Sequence, residues 1–77
     1  MNAADLNADL LRFAASDLRA ARREGSIMIT QTRRGLLSLS YDAGRYVLST
    51  TGLDAEVIAE GKAGAVKAAI AGCYDVQ

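Results

Sequence analysis

The chain has no histidine, no proline and only one cysteine among its 77 residues. Without histidine, the commonest general acid–base group and the commonest metal ligand are missing. The serines and threonines then have no imidazole to activate them as nucleophiles. A lone cysteine, Cys73, can make neither an internal disulfide nor a structural zinc site, and it reads as a core residue. No carboxylates cluster at calcium-loop spacing. Gly61-Lys62-Ala63-Gly64 has the glycines and lysine of a phosphate loop but lacks the full G-x-x-x-x-G-K-[ST] spacing. The expectation is a protein that is not an enzyme and holds no cofactor or metal.

Net charge is missing too, with nine basic and nine acidic residues in balance. A nucleic-acid binder usually carries a basic excess. No apolar run is long enough to span a bilayer, and the first residues, with Asp5 and Asp9 and no basic flank, do not read as a signal peptide. There is no internal repeat and no low-complexity segment. The length allows one domain, residues 1–77, that buries only about 60 per cent of its unfolded surface. An oligomer or a partner would help such a domain. Cysteine usage points to the cytoplasm, in a bacterium or a virus that infects one.

What is present is a run of alternating residues from Ser26 to Glu60. Ile27 and Ile29 oppose Met28 and Thr30 in a strand expected over 26–32. Leu37, Leu39 and Tyr41 oppose Leu36, Ser38 and Ser40 over 36–41. Tyr46, Leu48 and Thr50 oppose Val47 and Ser49 over 46–51. This period of two predicts antiparallel strands with one apolar face and one hydroxylated face. Arg33-Arg34-Gly35 and Asp42-Ala43-Gly44 both read as three-residue hairpin loops with glycine in the left-handed third position. Residues 55–60 are ambiguous between a fourth strand and the opening of a long helix. Gly61 and Gly64 would cost such a helix about 1 kcal/mol each, which favours the strand.

A helix is expected on each side. The first runs from about Ala3 to Glu24, capped by Asn2 with Asp5 in its first turn, and stops at Gly25. Leu6, Leu10, Leu11, Phe13, Ala14, Leu18 and Ala21 form its apolar face, with Arg12, Ser16, Arg19 and Arg23 opposite. Asp17 breaks that pattern. It reads either as a buried carboxylate poised for acid–base work or, preferably, as an edge carboxylate paired with an arginine or with the end of the sheet. The second helix, about Lys62 to Tyr74, has a core stripe of Ala63, Val66, Ala69, Ile70 and Cys73. Gly64, Ala68 and Gly72 recur every four residues on another side, and small residues at that spacing let backbones approach closely. A contact inside the fold is the preferred reading of this stripe, with self-association into a homodimer as the other. The expected class is α+β: an antiparallel meander of four strands, or three if 55–60 is helical, in the order α-β-β-β-β-α.

Charge is unevenly spread. Seven arginines and three acidic residues lie between Arg12 and Arg45, a local excess of four that the rest of the chain cancels. Arginine suits bidentate contacts to carboxylates or phosphates. Arg33 and Arg34, read at a hairpin tip, with Arg19, Arg22, Arg23 and Arg45, are the candidate partner-binding residues.

The order of helix, antiparallel strands and lysine-bearing helix resembles the double-stranded-RNA-binding domain, matching it at Gly61, Lys62 and Lys67. The clustered lysines and the histidine-containing loop of that family are absent. That resemblance implies a nucleic-acid partner. The segment Tyr46 to Ala71, a hairpin running into a glycine-initiated, alanine-rich helix, also resembles small phage-encoded anti-CRISPR proteins. This second resemblance implies a non-catalytic inhibitor that occludes a protein partner, such as a bacterial defence ribonucleoprotein.

Overall fold

A computed structural model describes residues 3–75 of the chain. The order is α1 (Ala3–Glu24), β1 (Ser26–Ile29), β2 (Leu37–Asp42), β3 (Arg45–Thr50), β4 (Val57–Gly61) and α2 (Ala63–Cys73). The four strands form one antiparallel sheet in the order β1-β2-β3-β4. Residues 57–61 are a strand, so the long-helix alternative fails. Gly61, at φ 130°, turns the chain out of β4 before α2 begins. The expected cap Asn2 and the side chains of Asp5 and Leu6 lie outside the described residues.

Alternation along the strands sorts the side chains as expected. Ile29, Leu37, Leu39, Tyr46 and Leu48 are buried on one face. Ala14, Leu18 and Ala21 of α1 and Val66, Ile70 and Cys73 of α2 close over them. Each fully buried Leu, Ile or Val in this layer contributes about 1.5–3 kcal/mol. α1 packs on β1 and β2, α2 on β3 and β4, and the helices also touch each other. The other sheet face carries Ser38, Ser40, Val47 and Ser49, and among the described residues no helix covers it.

The turns differ from expectation. Asp42 pairs with Arg45, so the β2–β3 loop is only Ala43 and Gly44. Both sit at positive φ, 51° and 83°, as a type I′ turn requires. The β1–β2 connection is not a three-residue hairpin either. It spans residues 30–36, because Gln31 at φ 42° breaks the strand early.

Both helix–sheet connections, at Gly25 and Lys62, lie at the sheet end marked by the Ala43–Gly44 turn. The connections 30–36 and 51–56, the C-terminal end of α2 and the N-terminal half of α1 therefore gather at the opposite end. α1 has 22 residues, a length of about 33 Å at 1.5 Å per residue. A six-residue strand reaches only about 20 Å. The N-terminal part of the helix therefore overhangs the sheet and leaves Leu11 outside the core. Phe13, about 100° round the helix from the buried Ala14, faces the groove beside β1. Both correct the expected packing face. Leu11 and Phe13 are exposed, Phe13 by 53%. In α2, Ala63 is also exposed rather than part of the core stripe.

Candidate partner-binding surface

The overhanging end is built by long-range hydrogen bonds. The Arg33 backbone N–H donates to the Cys73 carbonyl at 2.9 Å, and the Asp75 N–H to the Gln31 carbonyl at 3.0 Å. Thr32 and Tyr74 face each other between them as an isolated antiparallel bridge. The Thr32 hydroxyl organises its own loop, accepting from the Arg34 N–H at 3.2 Å and donating to the Gly35 carbonyl. Gly35, at φ 78°, takes the left-handed conformation the sequence assigned to it.

This geometry separates the two adjacent arginines. The Arg33 guanidinium donates to the Gly72 carbonyl in the last turn of α2. Arg34 pairs with Glu56 at 2.7 Å on the β3–β4 connection. Arg33 and Arg34 are thus not a free pair at a hairpin tip. Arg45 lies toward the other end of the sheet and pairs with Glu60 at 2.6 Å. Arg22 lies over the Tyr41 ring, 5.8 Å from its centroid, and Tyr41 packs against Tyr46 with centroids 4.8 Å apart and the rings tilted by 55°. Arg19 and Arg23 are exposed on α1. The six candidate arginines therefore do not form a single patch.

Asp17 is half-buried and accepts a hydrogen bond from the Tyr74 hydroxyl. Its partner is a tyrosine, where the expectation is an arginine or the end of the sheet. Burial holds the Asp17 carboxyl above the usual carboxylate range, and the Tyr74 hydrogen bond partly opposes the shift. The Tyr74 phenol is also pushed upward, first by burial and then by the neighbouring carboxylate. Tyr74 also meets Phe13 edge-on at 6.1 Å. Tyr74, expected at the end of the second helix, carries no sequence signal of this role, whereas Asp17 stands out by breaking the apolar face of α1.

Two open grooves flank this contact and share Leu10 and Tyr74 as walls. One, of about 510 Å³, runs between α1 and α2 past Leu11, Arg33, Ala68 and Gly72. Here the small-residue stripe is corrected. Gly64, Ala68 and Gly72 are exposed, and a Cβ on either glycine would meet nothing within 4 Å. The stripe is therefore not an internal packing surface. The other groove, of about 460 Å³, runs between α1 and β1 and takes in Phe13, Asp17, Met28 and Asp75.

Cys73 is buried and unpaired. Among the described residues, no group of three or more His, Cys, Asp or Glu side chains is placed to hold a metal ion. No described helix is long and apolar enough to cross a membrane. No protein-family model matches the chain, and no curated protein or solved structure is significantly similar to it.

Proposed function

We propose that the chain is a small non-enzymatic module that binds a protein partner and acts by occluding it, as a phage-encoded inhibitor of a bacterial defence ribonucleoprotein would. One observation carries this reading. Large apolar side chains stay exposed on the elements that gather away from the Ala43–Gly44 turn, among them Leu11, Phe13, Leu36, Leu53 and Val57, and the 30–36 connection at that end carries Arg33 and Arg34. Aromatic, apolar and arginine side chains together are the composition of a protein interface core. Leu53, fully exposed on the 51–56 connection, contributes nothing to the core. Ion pairs such as Arg34–Glu56 are exposed and weak, so a partner's carboxylates can take over the guanidinium at little cost.

The nucleic-acid reading relies on the same arginines and is separated from this one by salt. Affinity for duplex RNA and DNA is measured from low to physiological ionic strength. Weak binding that vanishes by physiological salt is expected. Sub-micromolar binding there with a steep salt slope overturns the proposal in favour of nucleic acid. The inhibitor role is tested by expressing the chain in bacteria with active CRISPR interference and challenging them with a targeted plasmid. Restored transformation is expected, and unchanged interference across the major system types removes the inhibitor role.

A further inference from the structure

The sheet has two edges, and they are protected differently. β4 carries Glu60, ends in Gly61, and faces a bulge in its pairing at Leu48/Ser49. A charge and a bulge are the ordinary means of blunting an edge. β1 reads Ser-Ile-Met-Ile, with neither charge nor bulge. The Tyr41 N–H donates to the Gly25 carbonyl at 2.8 Å, which sets the phase of the β1–β2 ladder. In that phase Ile27 and Ile29 exchange hydrogen bonds with β2. Ser26 and Met28 turn their N–H and C=O groups away from β2, and among the described residues nothing pairs with them there. Met28 is 53% exposed there.

That open edge also borders the groove between α1 and β1. Among the described residues, the groove wall holds two carboxylates, Asp17 and Asp75, and no basic side chain. Tyr74 occupies one Asp17 oxygen, Oδ2, and among the described residues no donor meets Oδ1. Leu10 and Phe13 supply an apolar wall beside the carboxylates.

We propose that the free edge of β1 receives an extended segment of a protein partner, which adds a strand beside Ser26–Ile29 and places a lysine or arginine against Asp17 and Asp75. Main-chain bonds to Ser26 and Met28 give such a complex its affinity. Alternate side chains of the incoming strand enter the groove and give it specificity. Four residues of β1 offer a run of about 13 Å. A second copy of this chain is a poorer occupant, because pairing β1 with β1 brings two sets of these carboxylates together with no added cation from the groove. The inference rests on the reading of the chain as a protein-binding module and adds a surface that the arginines do not define.

The test titrates the full chain with three capped extended peptides that alternate valine with lysine, glutamate or serine, followed by amide NMR. The lysine peptide is expected to shift Ser26, Met28 and Asp17 and to slow exchange of the Ser26 and Met28 amides. Its affinity should exceed that of the glutamate peptide at least tenfold and fall about tenfold in Asp17→Asn/Asp75→Asn. Equal response to all three peptides, shifts elsewhere, or no shift at millimolar peptide overturns the proposal. Protection of Ser26 and Met28 that grows with protein concentration alone overturns it in favour of a β1–β1 dimer. Tight nucleic-acid binding would overturn the protein-binding reading, whereas peptide indifference overturns only the docking edge.

Discussion

Arg33 illustrates how much one side chain does at the overhanging end. Its backbone N–H and its guanidinium both donate to α2 carbonyls, of Cys73 and Gly72. The last carbonyls of a helix lack intrahelical partners and favour a cation nearby. Arg33→Ala is expected to cost about 1 kcal/mol in urea unfolding, the usual worth of one hydrogen bond. Arg34→Ala breaks only an exposed ion pair and should stay within about 0.5 kcal/mol. Equal costs would show that the Arg33 guanidinium does not hold α2. Asp17 makes a second prediction. Its native pKa lies above the ordinary aspartate value of 3.8, so the folded chain binds this proton more readily than the unfolded one. Stability from this group is complete below about pH 3.8 and is lost as pH rises through the native value. Tyr74→Phe removes the hydrogen bond that lowers the native value, so an NMR titration should find Asp17 raised further. A fall or no change would show that Tyr74 does not stabilise the carboxylate.

At the scale of elements, the two hairpin connections look alike in sequence and behave differently. Ala43-Gly44 is a tight turn that holds Ala43 at φ 51°, a conformation disfavoured for alanine. Asn-Gly is the preferred I′ pair, so Ala43→Asn should stabilise the hairpin by about 0.5–1 kcal/mol. A lower denaturation midpoint would show that Ala43 is not strained. The period-two runs, the small hydroxylated residues between them and Gly25 made the strands, the meander and the end of α1 legible. The 30–36 connection was not legible, because its determinants are remote in sequence. Nothing beside Gln31 announces its positive φ, and the partners of residues 31–33 are Cys73, Tyr74 and Asp75. The wheel of α1 marked the correct side, but burial also depends on where the sheet stops, and strand ends are set by pairing. Leu11 therefore reads as core and stands exposed, while Phe13 lies at the margin of the apolar arc and faces the groove beside β1. The candidate arginines were visible as a charge excess, whereas their dispersal is a property of the assembled chain.

For the molecule as a whole, eleven described residues form the buried apolar core. A domain of this size is marginal, so small local gains matter. α2 draws little support from its own sequence. Lys62 at its N-cap makes no side-chain hydrogen bond, and its first turn has no acidic residue. Gly64 lies one residue past the start of α2, is exposed, and has open space where a Cβ would stand. Gly64→Ala should therefore stabilise the monomer, by up to about 0.5–1 kcal/mol from helix propensity and reduced unfolded-state entropy. For a domain of 60–100 residues, 1 kcal/mol raises the melting temperature by about 4–8 °C. The same substitution tests the role left to the small-residue stripe. Close helix–helix approach tolerates no added side chain at such positions. If Gly64, Ala68 and Gly72 mediate a homodimer, Gly64→Ala will raise the stability of the dilute chain while weakening its association in sedimentation. If the stripe faces only solvent, Gly64→Ala will raise the melting temperature by the same amount at every protein concentration and leave the mass unchanged. A lower melting temperature in dilute solution would show that Gly64 is required by the fold itself.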